Sequence, residues 1–441
     1  MKFFVILGLC LVLHPASPGF CQESKTIGLE EALTLALERN EILQMARGDL
    51  LRSREGIREA RSDIYPQLNL DVDYNRNWRL PRSIFDTPTG RQEVTIGTKN
   101  NFTGSLILRQ PLFASGKLYS ALRSARFSSQ FSEQEVRAIH QLVRSEVEIA
   151  LYDLFLARDL VRVSKLAVER ASANLRQVQR LQEVGRVSSY EVLRAQVQVS
   201  TLLPDSIEAE NRRVVADLNF KNAIGMDFSK TILAEGEFRE TTTLNTADVE
   251  VLVARGLEAR PQLRQANLEI EIVEQQVRVE RAGLRPRIDL IASARLQMQS
   301  NKLEFSNDDF QQSWFTGVSV EMPLFDGMRT SARVSRARVE MKRAELELKR
   351  LKREVGLEIR QAWLDLKVAE KRLEAQTLAV AQARRGQSIA KSRYGNGLGT
   401  QLEVLDAQLV LLRAELDFAV EKRERAVSMV ELERAVGVLG E

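Results

Sequence analysis

The chain has 441 residues, of which 44% are hydrophobic and 28% are charged. Its mean hydropathy of −0.23 excludes a bundle of membrane-spanning helices, because each span needs about 20 apolar residues. The 64 basic and 60 acidic residues leave a formal net charge of +4 without a dense basic block, which argues against nucleic acid as a partner. No proline lies between Leu324 and Glu441, which is typical of long uninterrupted helices.

The first residues have the pattern of an export signal. Lys2 precedes an apolar run at residues 3–13, and small residues lead to Cys21. This pattern predicts a signal peptide at residues 1–21 that is removed on export. Two processing routes stay open at Cys21, namely cleavage beside it and attachment of a lipid to it.

The predicted mature chain is poor in the residues that most metal sites and many enzymes use. Removal of residues 1–21 takes away both cysteines and one of the two histidines, so that only His140 is left. Disulfides, zinc sites, thiol catalysis and any mechanism that needs two histidines are thereby excluded. We expect no enzyme activity, no catalytic residue, no cofactor and no metal site.

An internal repeat organises the rest of the chain. The sequence RQPLF at residues 109–113 returns as EMPLF at 321–325, an offset of 212 residues. At the same offset, EVLRAQ at 191–196 returns as EVLDAQ at 403–408. A shared offset across separated landmarks indicates a tandem duplication rather than the chance similarity of charged helices.

Each half is predicted to run in the order helix, β-hairpin, very long helix and second long helix. The first repeat, residues 22–235, has its hairpin at about 67–110 and its long helices at 113–228. The second repeat, residues 236–441, has its hairpin at about 287–322 and its long helices at 325–437. The first half carries eight extra residues, which we place around 81–99, within the hairpin.

The long helices carry an apolar stripe at the spacing of a coiled coil. In the first half the stripe consists of Val143, Val147, Ala150, Leu154, Ala157 and Val161, and it recurs 212 residues later. From Leu118 to Leu181 the helical pattern lasts 64 residues, or roughly 95 Å at about 1.5 Å per residue. A helix of this length must pack along other long helices. Pro204 has no counterpart in the second half and is predicted to mark a kink or junction.

Beyond Pro66 and Pro286 the period of the apolar residues changes from 3.6 to 2. Leu68, Leu70, Val72 and Tyr74 alternate with polar residues, and residues 288–297 alternate less cleanly. An apolar and a polar face over about 9–11 residues fits a membrane β-strand with lipid outside and water inside. The partner strands are predicted at about Phe102 to Gln110 and Trp314 to Glu321. Trp78 and Trp314 are predicted to lie near the outer ends of the strands. A soluble, half-buried hairpin in each repeat is the alternative.

Four strands cannot close a membrane barrel, because single-chain barrels start at about 8 strands and an open edge in lipid is prohibitive. If these strands span a membrane, several chains must share one barrel. The long helices would then continue on one side as a hollow bundle.

The order of the motifs resembles that of the TolC-like outer-membrane efflux protein family of Gram-negative bacteria. The matching segments are LEEAL at 29–33, ALERN at 36–40, PLFASGK at 111–117, PLFDG at 323–327, RYGNGLGT at 393–400 and LEVLDAQ at 402–408. The resemblance implies a mostly α-helical fold, in which the duplicated α-hairpins of three chains form an α-helical barrel. It also implies a shared twelve-stranded β-barrel, with four strands from each chain, and a small mixed equatorial region.

The function that the resemblance implies is a passive exit duct in the outer membrane that extends into the periplasm. Such a duct serves a tripartite efflux system or a type I secretion system. The implied partners are two further copies of the chain, a periplasmic adaptor, an inner-membrane transporter and outer-membrane lipid. An exported coiled-coil scaffold or fibre without a pore is the alternative, and the transported substrate is not readable from this chain.

The resemblance carries two sites onto this sequence. The helix-hairpin tips match the adaptor-docking region and comprise Val184, Gly185, Arg186 and Val187 in the first half and Asn396, Gly397, Leu398, Gly399 and Thr400 in the second. Glu403 and Asp406, with Tyr394, match an acidic ring at the periplasmic aperture. Gly399 stands where the family has an arginine that helps to lock the closed state. Without the resemblance, these positions read as ordinary helix turns and solvated surface acids.

Overall fold

The computed structural model describes residues 25–88, 90–241, 244, 248–302 and 310–439. The predicted signal peptide at residues 1–21 and the two processing routes at Cys21 lie outside the described residues. In the described part of the chain, no helix is both long enough and apolar enough to cross a membrane.

The two halves of the chain contain corresponding elements. The first half contains β1 (Lys25–Ile27), α1 (Leu29–Arg39), α2 (Glu41–Ser62), β2 (Gln67–Arg76), β3 (Arg82–Thr87), β4 (Gly90–Thr95), β5 (Asn100–Phe113), α3 (Lys117–Glu183), α4 (Ser189–Ala223) and β6 (Ile232–Ala234). The second half contains α5 (Val249–Ala259), α6 (Pro261–Arg281), β7 (Arg287–Ser300), β8 (Phe310–Glu321), α7 (Arg329–Gly395) and α8 (Gln401–Val436).

Each half opens with two short helices where the sequence predicted one. The backbone is extended at Asn40 and at Arg260, which separate the paired helices. The Asn40 side chain accepts a hydrogen bond from the Leu43 N–H at 3.0 Å and caps α2. Pro261 occupies the first position of α6, where its missing N–H costs nothing. Both breaks therefore follow from helix-capping chemistry.

Four strands form one antiparallel sheet in the order β2-β5-β7-β8. The register places Leu70, Leu106, Ala294 and Trp314 in one row across the sheet. Because side chains alternate between the two faces, most apolar residues of the four strands share one face, whereas Ile107, Ile291 and Phe315 lie on the other. The neighbouring row, Asp71, Ser105, Arg295 and Ser313, lies on the opposite, polar face.

The eight extra residues of the first half fall in the loop between β2 and β5. There β3 and β4 pair as a separate antiparallel hairpin. Trp78 lies two residues beyond the end of β2, whereas Trp314 is within β8, on the apolar face. Trp78 and Trp314 are 85% and 82% exposed.

The helices pack in two tiers beneath the sheet. The helices α3 and α7 have 67 residues each, or about 100 Å at 1.5 Å per residue. Near the sheet the packing order is α2, α3, α6, α7, and further away it is α4, α3, α8, α7. The helix α4 continues through Pro204, so this residue does not separate two helices. Elements of the first half, namely β2, α2 and α4, form one edge of the sheet and of the two helical tiers, and β8 and α7 of the second half form the other edge.

The main core lies in an equatorial belt, which we define as β1, β6 and the helices packed around them. The strands β1 and β6 pair in parallel and connect the start of the chain to the end of the first half. One apolar cluster surrounds Tyr152, Leu154 and Phe220, all at most 1% exposed. A second cluster surrounds Ile359, where a side chain at Gly256 would overlap the Ile359 side chain.

Glu148 is a buried acid within this belt and is only 1% exposed. Arg144 Nε donates to Glu148 Oε1 at 3.3 Å. Burial raises the pKa of the Glu148 carboxyl, and this effect outweighs the opposing charges of Arg239 and Arg144. The belt thus contains a buried acid, and the neighbouring arginines offset part of the cost of its burial.

Candidate functional site

The first hairpin tip connects α3 to α4 through a glycine-dependent reversal. Gly185 has φ +70°, and its N–H donates to the Gln182 carbonyl at 2.8 Å. The Arg186 N–H donates to the Leu181 carbonyl at 2.9 Å, which completes a Schellman-type helix end. A Cβ at Gly185 would meet nothing within 4 Å. The left-handed backbone, rather than close packing, therefore requires glycine here.

The second tip repeats this turn between α7 and α8. Gly397 has φ +74°, and its N–H donates to the Tyr394 carbonyl at 3.0 Å. The Leu398 N–H donates to the Arg393 carbonyl at 2.8 Å, and the Leu398 side chain is 71% exposed. Thr400 Oγ1 accepts from the Glu403 N–H at 3.3 Å and caps α8. Both tips thus present a glycine and apolar side chains at the end of a rigid hairpin.

Gly399 distinguishes the second tip from the first. A Cβ at this position would lie 3.0 Å from Glu403 Oε2 and 3.1 Å from Arg393 Cβ. A larger side chain would therefore have to displace the Arg393 and Glu403 side chains. Arg393 Nη2 donates to the Leu398 carbonyl at 3.1 Å, and Arg393 Nε lies 3.6 Å from Glu403 Oε2. Arg393, which the sequence did not single out, supplies the cation at this turn.

Two hydrogen bonds join the second tip to the first. Tyr394 Oη donates to Glu191 Oε2 at 3.0 Å, and Gln401 Nε2 donates to the Glu191 carbonyl at 2.7 Å. Gln401 is only 3% exposed, so its bond is shielded from water. Burial, assisted by the Glu191 carboxylate, raises the pKa of Tyr394 to about 12. Tyr394 therefore remains a neutral hydrogen-bond donor throughout the physiological pH range.

Sequence reasoning missed Glu191 and Gln401. A signal for Glu191 was available, because it is the repeat mate of Glu403 in the duplicated EVLRAQ and EVLDAQ segments. The structure brings Tyr394 to Glu191 rather than to Glu403 or Asp406.

The two predicted aperture acids lie one turn apart near the start of α8. Both are exposed, and they are three positions apart, so they share one face of the helix. Glu403 has Arg393 as its ionic partner. Within the described part of the chain, Asp406 has no hydrogen-bonding or ionic partner. This face therefore carries negative charge that the chain itself neutralises only in part.

Further from the tips, an ionic contact ties the two hairpins together. Glu415 of α8 lies 2.8 Å from Arg170 of α3 and 3.3 Å from Arg384 of α7. Burial raises the pKa of the Glu415 carboxyl, but the two arginines outweigh it and hold the pKa below its ordinary value. The carboxylate therefore stays charged and cross-links three helices.

Among the described residues, no group of three or more metal-ligating side chains occurs.

The sequence profile of the family described as outer membrane efflux protein matches residues 32–226 and 252–438. The chain belongs to this family. Outer membrane protein TolC of Escherichia coli is 22% identical over 446 residues, which cover 99% of this chain and 86% of the relative. Alkaline protease secretion protein AprF of Pseudomonas aeruginosa is 22% identical over 424 residues, with 95% and 86% covered.

Solved structures of outer-membrane channels share the fold. The outer membrane protein VceC from Vibrio cholerae superposes with a TM-score of 0.76 at 18% identity, with 93% of this chain and 96% of that chain covered. The chain is therefore a TolC-like channel located in the outer membrane. It is an exit channel for efflux or type I secretion. Its family consists of channels rather than enzymes. No comparison supports the alternative of a pore-free scaffold or fibre.

Proposed function

We propose that three copies of this chain form a passive export duct, closed at its periplasmic end by the hairpin tips. A periplasmic adaptor docks on these tips and connects the duct to an inner-membrane transporter. The proposal rests on one observation. The sheet and both helical tiers each have two free edges, one formed by the first half of the chain and the other by the second half.

The sheet supports a shared barrel. Its edge strands β2 and β8 have no further strand partner among the described residues. Unpaired backbone groups are prohibitively costly in lipid, and barrels begin at about 8 strands. Three copies supply twelve strands, so that β2 of one copy can pair with β8 of the next.

The helical edges support the same closure. Their outward faces carry apolar side chains that are about half exposed in the single chain, namely Leu193, Val197, Ile207 and Val214 on α4 and Leu357, Leu364, Leu378 and Ile389 on α7. Exposed apolar stripes of this length mark protein interfaces. In a ring of three copies, α4 of one copy meets α7 of the next, and both stripes are buried.

The aperture proposal rests on the contacts at the tips. Glu403 and Asp406 of three copies would place six carboxylates around one axis, which favours cations in a narrow passage. The Tyr394–Glu191 and Gln401–Glu191 bonds hold the second tip against the first. Breaking them would let the α7–α8 hairpin move away from α4, which opens the duct.

The docking proposal rests on the shape of the tips. Gly185 and Gly397 leave open space at the two reversals, and Val184 and Leu398 are 68% and 71% exposed beside them. Small notches flanked by apolar side chains suit the tip of another helical hairpin. The transporter, rather than the duct, would then select the cargo.

A cysteine pair across the helical edges tests the assembly. Val197 and Ile389 are 54% and 53% exposed, and each lies about 10 Å from its tip at 1.5 Å per residue. The double variant Val197→Cys with Ile389→Cys, treated with a short bismaleimide in isolated outer membranes, should give covalently linked trimers on denaturing gels. Each single variant is the matched control and should remain monomeric. Links only within one chain would refute the ring.

A further inference from the structure

We propose that Arg76, Trp78, Arg79 and Lys99 form a binding site for a phosphate-bearing lipid headgroup at the outer rim of the sheet. The inference rests on the proposed function, because it requires that the end of the sheet away from the long helices faces the outer leaflet of the membrane.

The site continues the lipid-facing column of β2. Leu68, Leu70, Val72 and Tyr74 project from the apolar face and are 47–69% exposed. Arg76 is the next residue on this face, at the outer end of the strand. The column therefore changes from aliphatic to aromatic to cationic in the direction away from the helices. This order matches the passage from acyl chains to headgroups in a bilayer.

Arg76 and Trp78 form a preformed pair at that boundary. The guanidinium carbon of Arg76 lies 4.9 Å from the centre of the Trp78 ring, and Trp78 is 85% exposed. A tryptophan of this kind belongs at the membrane interface, where its ring contacts lipid and its N–H reaches polar groups. The stacked guanidinium keeps its N–H groups available for an acceptor.

The backbone brings Lys99 to the same place. The Asn77 N–H donates to the Lys99 carbonyl at 2.7 Å, and Asn77 Nδ2 donates to the Thr98 carbonyl at 3.0 Å. These bonds continue the pairing of β2 with β5 beyond Arg76. These bonds fix the backbone of Lys99 opposite Asn77, the neighbour of Trp78, and Lys99 and Trp78 line the same cavity.

Small-ligand sites typically have volumes of about 300–1,000 Å³, and the cavity here measures 870 Å³. Trp78, Arg79 and Lys99 line it, together with Arg82 and Glu93. Glu93 is paired with Arg82 at 3.3 Å. Among the described residues, no carboxylate pairs with Arg76, Arg79 or Lys99. The cavity is therefore positively charged and can accept a phosphate.

Continuity with the apolar face identifies the occupant as a lipid rather than a soluble anion. A lipid can place its acyl chains along Leu70 and Val72 while its phosphate reaches Arg76 and Lys99. Clusters of basic residues next to a membrane-embedded surface bind anionic headgroups in this manner. A soluble phosphate would gain nothing from the apolar column.

Native mass spectrometry of the full-length protein in detergent tests the site. The probes are bisphosphorylated lipid A, the same lipid with its phosphates removed, and inorganic phosphate. The triple variant Arg76→Gln, Arg79→Gln and Lys99→Gln should bind bisphosphorylated lipid A on the order of 100-fold more weakly, because each basic residue contributes a factor of about five. The unmodified protein should discriminate similarly against the dephosphorylated lipid, and inorganic phosphate should not compete.

The matched control removes three cations from the opposite end of the sheet, with Arg109→Gln, Lys117→Gln and Arg285→Gln. This variant should bind lipid A as the unmodified protein does. Equal binding by the triple variant, equal loss in the control, or displacement by inorganic phosphate would each overturn the proposal. The same spectra report the number of chains per particle, so that failure of the trimer is seen separately from failure of the lipid site.

Discussion

The equatorial belt and the hairpin tips are held together by different forces. In the belt, Leu154 and Phe220 are fully buried among the helices around β1 and β6. At the tips, Leu398 is 71% exposed, and the two hairpins meet through the polar contacts that Tyr394 and Gln401 make with Glu191. Both regions belong to the same long helices, which pass through the belt and end at the tips.

The two regions differ in the free energy that their contacts contribute. Burial of one leucine side chain contributes about 2 kcal/mol, and the belt contains two clusters of such residues. A net hydrogen bond contributes about 1 kcal/mol, or about 2 kcal/mol when one partner is charged. If the duct opens at the tips as proposed, the polar contacts of Tyr394 and Gln401 with Glu191 can break while the belt stays folded.

The largest expected effect comes from the same substitution placed in each region. Leu154→Ala in the belt should lower the free energy of unfolding by about 3 kcal/mol, because it leaves a cavity among buried side chains. Leu398→Ala at the tip should change it by less than about 0.5 kcal/mol. Denaturant unfolding of the protein in detergent, followed by circular dichroism, measures both. Equal effects would show that the two regions are not energetically distinct.

An intermediate effect is expected for the hydroxyl that joins the tips. Tyr394→Phe removes one hydrogen bond to a carboxylate, worth about 2 kcal/mol, and should raise the open fraction of the channel about 30-fold. Planar-bilayer recordings measure this fraction. Tyr190→Phe is the control, because Tyr190 adjoins Glu191 but is 65% exposed. If both variants leave gating unchanged, the Tyr394–Glu191 bond does not hold the tips closed.

The smallest effect on stability is expected at the aperture acids. Glu403→Gln with Asp406→Asn should reduce cation preference and weaken block by multivalent cations, because nearby carboxylates interact strongly in a narrow pore. Thermal unfolding should stay nearly unchanged, since both residues are exposed. The control Asp205→Asn with Glu208→Gln removes the same charge at the same spacing on α4. A control that alters selectivity equally would make Glu403 and Asp406 ordinary surface acids.

The long elements could be predicted from the sequence because their periodicity is local. The helix expected from Leu118 to Leu181 runs from Lys117 to Glu183, and the alternation from Leu68 to Tyr74 lies within β2. The sequence did not predict the helix breaks at Asn40 and Arg260, because the apolar pattern continues across them. A kink or junction was expected at Pro204; the junction was wrong, because α4 continues through this residue as one helix.

The candidate site was predictable only in part, for a related reason. The turns at Gly185 and Gly397 depend on neighbouring residues, so the glycine pattern reveals them. The contact between Tyr394 and Glu191 spans 203 residues of sequence. No local pattern encodes such a contact, and it depends on how α4 and α7 approach each other at their ends. The ionic partner of Glu403 was missed because Arg393 lies across the turn from it.

The number of chains in the purified particle tests the shared duct most directly. Light scattering after size-exclusion chromatography in detergent, corrected for bound detergent, gives the mass of the protein component. The proposed twelve-stranded barrel, with four strands from each chain, predicts a mass of three chains with the β-structure intact by circular dichroism. A homogeneous monomer with intact β-structure would contradict the shared barrel and, with it, the ring of hairpin tips.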